Sequence, residues 1–382
     1  MDKPHYTKNP IGRIKSLAKA ISFNESLLVS VARQAEAFYC LHERKEKPDG
    51  SYRDIYGVKG KLKTVQKRIV GNIYNYVFFP QYLQGSIKDK DLPRSYVHNA
   101  SLHQNARVLI RMDISNFYPS LSESIIFDVW KRFFNFPNGV AHLLTQLTTY
   151  QGFLPQGAST SPGLGNLVFW EREHELVSRL RKQGFVYSRY VDDVSISTKK
   201  FIEISDLAPI FSSVFGMFKS RGVKPNRNKI EISTSGHPMI VHNLNVNGTI
   251  LTMSKKQRRK IGTTVKRCEE KAKESRLTED YETLWSSAYG KVLYLKHFHP
   301  SKAESYLTVL ESIKCVLSDN RLAEIENAVN ECENLAISSR ESLLKKKHKR
   351  IQEKVASLSQ IYPKQMRPYL DRLQRNSSKR IF

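Results

Sequence analysis

Three aspartates are the residues of this 382-residue chain best suited to chemistry. Asp113 lies near the end of a short apolar run, Val108-Leu109-Ile110-Arg111-Met112-Asp113-Ile114. Asp192 and Asp193 stand side by side between two β-rich segments, 185–190 and 194–197. Carboxylates flanked in this way are costly to desolvate unless they are paired, hydrogen-bonded or bound to metal. Hard cations such as Mg²⁺ take a few carboxylates and fill the rest of their shell with water and substrate phosphates. Two such ions about 4 Å apart can clamp the attacking and leaving oxygens of a phosphoryl transfer. Taken alone, an Asp-Asp pair is more often an ordinary polar turn, so the surrounding sequence has to decide.

The elements that would position these acids are legible. Residues 108–114 have the length and composition of a buried strand. The segments around Asp192 and Asp193 read as a hairpin with the acids at its turn. Adjacent strands of one sheet would then bring Asp113 to a pair 79 residues further on. Elsewhere, apolar residues at helical spacing (Ile14, Leu17, Ala18, Ile21, Leu28, Val31, Ala32) predict that 1–45 is largely helical. Residues 61–70 predict a basic amphipathic helix, and 121–150 return to helix. A Gly/Ser/Thr/Pro-rich loop at 152–162 precedes a long helix over 163–183. Helix is expected at 201–221, strand at 230–232 and 240–251, and mostly helix after 254, with no internal repeat.

Charge narrows the partners. Lys plus Arg number 62 against 36 acids, a net +26, while 40% hydrophobic and 10% aromatic content suffices for a sizeable core. Such a surplus repels itself unless a polyanion neutralises it. Nucleic acid fits, since neutralised phosphates release counterions; a basic protein without that partner, or one on an anionic membrane, is the alternative. Two stretches are densely basic: 254–275, with nine Lys/Arg against three Glu, and 340–382, with thirteen against three acids. Either is a solvated helix face or a polyanion track. Cys40, Cys268, Cys315 and Cys332 form no C-x-x-C pair and read as reduced structural thiols. The polar N-terminus and the lack of a run of about 18 apolar residues lead us to expect a cytoplasmic chain without a membrane span.

Three motifs in order carry a resemblance. Tyr190-Val191-Asp192-Asp193 resembles the Y-x-D-D box of reverse transcriptases, and Asp113-Ile114-Ser115-Asn116-Phe117-Tyr118-Pro119-Ser120 their preceding acidic motif. Leu154-Pro155-Gln156-Gly157, continuing to Ser161-Pro162, is similar to their L-P-Q-G…S-P motif. The resemblance implies an α+β right hand: fingers, a palm of antiparallel sheet with packed helices, and a helical thumb. It places N-terminal helices and fingers at 1–105, palm with inserted fingers helices at 106–250 and thumb at 251–315; the remaining 316–382 reads as a basic helical extension that matches none of these parts. It implies Asp113, Asp192 and Asp193 as catalytic residues holding two Mg²⁺ ions, with the Ile114 carbonyl as a further ligand. Tyr118 matches the aromatic steric gate that excludes a ribose 2′-hydroxyl; a packed core aromatic is its alternative. Gln156 and Gly157 would approach the nucleotide, Gly because it lets backbone come close. Arg53, Lys63 and Lys229 are candidates for contact with the triphosphate or the leaving pyrophosphate, where cations offset developing charge.

Two further features resemble the bacterial retron type. Asn99-Ala100-Ser101-Leu102-His103 matches the N-A-x-x-H motif that retron enzymes place before the first acid, with Gly85 fitting the small residue upstream. Val241-His242-Asn243 stands where those enzymes carry V-T-G near the primer grip, so the Val fits and the next two residues depart. Tyr289-Gly290-Lys291 through Pro300 resembles the thumb of retron and group II intron enzymes. The resemblance spans roughly 10–315. It implies dNTP substrates, a cognate structured non-coding RNA, and priming from a guanosine 2′-hydroxyl to give RNA-linked multicopy single-stranded DNA. Such enzymes commonly restrain a toxic effector in antiphage defence, and higher-order assembly is possible. The readings set against this are a non-retron defence-associated or group II-like reverse transcriptase, and an RNA-binding scaffold with an idle site.

Overall fold

The computed structural model describes residues 2–47, 50–317, 319–335, 349–356, 358–359 and 362–378. The chain forms two compact units, Met1–Thr252 and Met253–Phe382. The first mixes helix and sheet. In order it contains β1 (His5–Tyr6), α1 (Ile14–Ala20), α2 (Glu25–Arg33), β2 (Tyr39–Glu46), β3 (Tyr52–Val58), α3 (Gly60–Asn72), β4 (Val77–Phe78), β5 (Leu83–Gln84) and α4 (Tyr96–Ser101). There follow β6 (Val108–Asp113), α5 (Phe117–Ser120), α6 (Glu123–Asp128), α7 (Asn138–Thr148), α8 (Ser161–Leu167) and α9 (Glu173–Lys182). The unit closes with β7 (Phe185–Tyr190), β8 (Asp193–Thr198), α10 (Ala208–Lys219), β9 (Glu231–Thr234), β10 (Ile240–Val241) and β11 (Leu244–Asn245).

The central sheet runs β5-β7-β8-β6-β9. All its pairs are antiparallel except β5 with β7. Successive residues of a strand face opposite sides, so the continuous run Val108, Leu109, Ile110 predicts cover on both faces. All three are buried, as is Met112. α3 behaves as its amphipathic pattern predicts: Leu62, Val65 and Ile69 turn inward, and buried Gln66 donates to the Tyr39 hydroxyl (2.8 Å) and the Leu147 carbonyl (2.9 Å).

Three sequence expectations are corrected. Residues 39–46 are strand rather than helix, because they pair with β3 from Tyr39↔Val58 to Glu46↔Tyr52. Arg44 Nε bonds Asp54 Oδ1 across that hairpin at 2.7 Å, and such cross-strand pairing overrides local helix propensity. The long helix expected over 163–183 is two, α8 and α9, separated at 168–172 where Phe169 turns into the core. The strand expected over 240–251 shortens to the β10–β11 hairpin and a loop. There Asn247 Oδ1 accepts from the Met239 N–H (2.7 Å) and Asn245 Oδ1 from the Asn247 N–H (2.9 Å), local bonds that compete with a ladder.

The second unit is helical: α11 (Lys255–Glu274), α12 (Glu279–Lys296), α13 (Pro300–Ser312), α14 (Asp319–Leu335) and a further helix, Pro363–Ser378. Val265, Trp285, Val292 and Leu310 share one core with Val329, Tyr362, Met366 and Leu373. The described part of 316–382 thus packs into this unit's core, and the rest of that segment lies outside the described residues. Among the described residues no helix is long and apolar enough to cross a membrane.

Candidate active site

Sheet register decides where the acids meet. β6 and β8 pair so that Asp113 lies opposite Asp193. The Ile114 N–H donates to the Asp192 carbonyl at 3.2 Å. On its other side Ile114 faces Pro225 in an antiparallel bridge, flanked by Ser115 N–H to Lys224 carbonyl (2.9 Å) and Asn226 N–H to Asp113 carbonyl (2.7 Å). In such a non-hydrogen-bonded pair the residue's own N–H and C=O point away from its partner. The Ile114 carbonyl therefore points to the side of the tandem acids. Those acids sit where β7 and β8 join: Tyr190 pairs with Asp193, leaving Val191 and Asp192 as a two-residue turn. Val191 takes φ 61°, a conformation that β-branched residues rarely adopt.

The acids perturb one another. Burial, and after it the charge of Asp113, raises the Asp192 carboxyl above its ordinary range, against the pull of Arg53 and Lys229. Asp193 reaches the surface, yet the surrounding protein and then Asp192 and Asp113 push it up to about 6. Asp113 Oδ2 accepts from Lys229 Nζ (3.0 Å) and Asn226 Nδ2 (3.2 Å). Among the described residues no three His, Cys, Asp or Glu side chains are gathered closely enough to hold a metal ion as they stand. The donor set nevertheless fits a hard divalent cation. Its oxygens are carboxylates whose mutual repulsion such a cation relieves, and the basic side chains of Lys229, Arg53 and Arg111 already partly offset it. A cavity of about 130 Å³ beside the acids is lined by Asp113, Asp193, Lys229, Arg111 and His242 among others.

The remaining candidates divide into those near the acids and those apart. Tyr118, on α5, is half-buried, and burial followed by the Asp192 charge raises its hydroxyl pKa. A Cβ at Gly165 on α8 would come within 3.1 Å of Phe117 and 3.4 Å of Tyr118, so this helix approaches both rings through a glycine. Gln156 accepts from the Tyr56 N–H through its carbonyl (2.8 Å), joining the loop to β3. Gly157 has φ 106°, and a Cβ there would lie 2.4 Å from the Tyr56 carbonyl oxygen; the residue must be Gly. Arg53, on β3, is exposed and reaches Asp192 through its charge. Lys63 is exposed on α3 and joins none of these contacts.

A second cluster supports the hairpin. His103 is buried, with Nδ1 2.7 Å from Ser197 Oγ and Nε2 2.7 Å from Ser188 Oγ, so it spans both strands carrying the tandem acids. Burial, and then the charge of His242, pushes its pKa down to about 3. Asn99 Nδ2 lies 2.9 Å from His242 Nε2, and the His242 ring packs on Tyr190 with centroids 4.6 Å apart. His242 (φ 49°) and Asn243 (φ 66°) form the whole turn between Val241 and Leu244. Positive φ at both central positions is the type I′ pattern, which Asn and His tolerate better than most residues. Gly85 (φ 78°) lies under Tyr190, where a Cβ would come within 2.9 Å of the ring.

Some site residues escaped the sequence reading. Asn226 bonds Asp113 through both backbone and side chain. Arg189 and Glu173 form a buried ion pair (2.6 Å) directly behind the turn. The available signal was Arg189 itself, a cation inside an otherwise uncharged strand segment.

Comparison with known proteins agrees with this geometry. A family model described as reverse transcriptase (RNA-dependent DNA polymerase) matches residues 45–277. The chain is similar to the retron Se72 reverse transcriptase of Salmonella heidelberg (strain 579083-10): 28% identical over 329 residues, 85% of this chain and 86% of that protein. Its similarity to the retron Ec48 reverse transcriptase of Escherichia coli is 28% over 343 residues, 87% and 83% of the two chains. The retron Ec86 reverse transcriptase of Escherichia coli is 26% identical over 227 residues, 58% of this chain and 68% of that one.

Proposed function

This chain belongs to the reverse transcriptase family and is an RNA-directed DNA polymerase of the retron type; from that premise we propose that it copies its own structured non-coding RNA into RNA-linked multicopy single-stranded DNA. The observation that carries the catalytic part is the register that sets Asp113 opposite Asp193, with Asp192 at the adjoining turn. Synthesis starts from a guanosine 2′-hydroxyl of that RNA, dNTPs are the substrates, and the complex acts in the bacterial cytoplasm. It restrains a toxic effector as part of antiphage defence and can assemble into higher-order oligomers. In this reading the central sheet and its helices are the palm, the β2–β3 hairpin and neighbouring helices the fingers, and the second unit begins with the thumb. The basic run on α11 supports a duplex-holding thumb. There a cavity of about 750 Å³ is lined by Arg267, Lys271 and Lys291 together with Glu274, Asp280 and others, and its cations are suited to phosphates.

Each residue has a task that its surroundings favour. Asp113, Asp192 and Asp193, with the Ile114 carbonyl, would hold two Mg²⁺ ions, which supply Lewis-acid stabilisation of the attacking and leaving oxygens. The Tyr118 hydroxyl lies within the influence of the Asp192 charge, and its ring excludes a ribose 2′-hydroxyl. Gln156 and Gly157 bring a loop against β3, so that Arg53 and the nucleotide-facing backbone act together. Arg53 and Lys229 offset triphosphate charge, and Lys63 joins them when nucleotide is bound. Asn99, His103 and the Val241-His242-Asn243 turn support the priming strand, with the His-Asn turn doing the work of the V-T-G of other retron enzymes.

Two measurements test this. Primer extension on an RNA template should be abolished in an Asp192→Asn, Asp193→Asn double variant; DNA synthesis by that variant would show the acids are not catalytic. Sequencing the nucleic acid that co-purifies with wild-type protein should find a branched RNA–DNA joined at a guanosine 2′ position. Unbranched products alone would instead favour a non-retron or group II-like product, and no DNA from an otherwise intact protein an idle scaffold.

A further inference from the structure

We propose that the buried Arg189–Glu173 ion pair is a positioning device for the tandem-acid turn, fixing where Asp192 sits by gripping the backbone of Val191. This rests on the reading of Asp192 as catalytic.

The geometry is specific. The Arg189 and Glu173 side chains are 0% and 1% exposed. Arg189 Nε and Nη2 donate to the two oxygens of Glu173 at 2.6 and 2.7 Å, and the Tyr187 hydroxyl donates to Glu173 Oε1 at 2.7 Å. The remaining donors leave the pair in two directions: Nη2 to the Asn166 carbonyl on α8 (2.9 Å) and Nη1 to the Val191 carbonyl (2.9 Å). A bidentate pair locks the guanidinium plane, so its outward N–H groups point at fixed places. One of those places is the carbonyl preceding Asp192. The carbonyl of Asp192 itself is held from the other side by the Ile114 N–H. The backbone on both sides of this acid is thereby tied, once to a buried cation and once to the strand bearing Asp113.

Stability alone does not account for the arrangement. A buried ion pair seldom outperforms a well-packed apolar replacement, because desolvation offsets the attraction. Val191 gives the pair a reason. A β-branched residue at positive φ persists only where its surroundings over-determine it. Released from Arg189, Val191 relaxes towards negative φ and carries Asp192 away from Asp113. The Asn166 contact extends the device, since α8 also contributes Gly165, against which Phe117 and Tyr118 pack.

The test uses the full chain in primer extension with its melting temperature measured alongside. Arg189→Lys keeps the charge for Glu173 but loses the fork that reaches Val191. We expect kcat to fall about 100-fold, the loss typical of an ångström-scale misplacement. The KM for dNTP should stay within about two-fold, since binding is not what the fork controls. Adding Val191→Gly, which needs no tether at positive φ, should restore most of the lost kcat. Should Arg189→Lys fold poorly, the apolar set Arg189→Met, Glu173→Leu, Tyr187→Phe provides the same comparison with the charge removed as a unit. A folded variant of either kind with wild-type kcat, or a loss that Val191→Gly does not relieve, overturns the proposal. Asp192→Asn separates it from the reading beneath it. Synthesis by that variant overturns both, whereas an inactive Asp192→Asn beside a fully active Arg189→Lys overturns the tether alone.

Discussion

Replacing His103 with leucine should destabilise the protein at neutral pH and scarcely at all at pH near 5. At neutral pH the imidazole bridges Ser188 and Ser197 with two 2.7 Å contacts inside the core. Losing both, at about 1 kcal/mol each, costs about 2 kcal/mol. The pH dependence follows from the folded pKa of about 3, against the ordinary 6.5 that the unfolded chain shows. Between those values the unfolded chain takes up a proton that the folded one refuses, so the contribution is complete above 6.5 and is lost as pH falls. At about 1.4 kcal/mol per pH unit, moving from pH ~7.5 to pH ~5 costs wild type about 2 kcal/mol through this residue. The leucine variant has nothing to titrate there, so the two stabilities should converge. Urea unfolding at the two pH values, followed by the fluorescence of buried Trp130, measures the gap. Other titrating groups are shared and cancel in the difference. A gap unchanged between the two pH values would refute the claim that His103 is held neutral between the strands of the hairpin.

Gly157→Ala should lower primer extension by about ten-fold or more, because its Cβ would meet the Tyr56 carbonyl and shift the Gln156 loop from β3; wild-type turnover would show that the loop tolerates displacement. Tyr118→Ala should raise ribonucleotide over deoxynucleotide incorporation by about ten-fold, read as the ratio of kcat/KM values, if the ring faces the sugar. At Asn243 (φ 66°) glycine should match the stability of the parent and valine should lose about 1–3 kcal/mol by thermal denaturation, since the residue is exposed and only the backbone is at stake.

Local pattern determined a good deal of this protein. The apolar run ending at Asp113 is a strand because almost every side chain in it is apolar, and the segments around Asp192 and Asp193 are a hairpin because acids interrupt two β-formers. The spacing on α3 fixes which of its faces is buried, and the order of the three acidic and glycine-containing motifs by itself points to the family. Other features depend on partners outside the local segment. Residues 39–46 would suit a helix and become strand only because 52–58 is there to pair with them. Lys229 on Asp113, His103 between two serines, and Arg189 between Glu173 and the Asn166 carbonyl each join segments whose register is set by packing of the whole sheet. A sequence states which side chains can bond or carry charge. Which of them are desolvated together, and therefore act on one another strongly, is decided only when the tertiary structure removes the water between them.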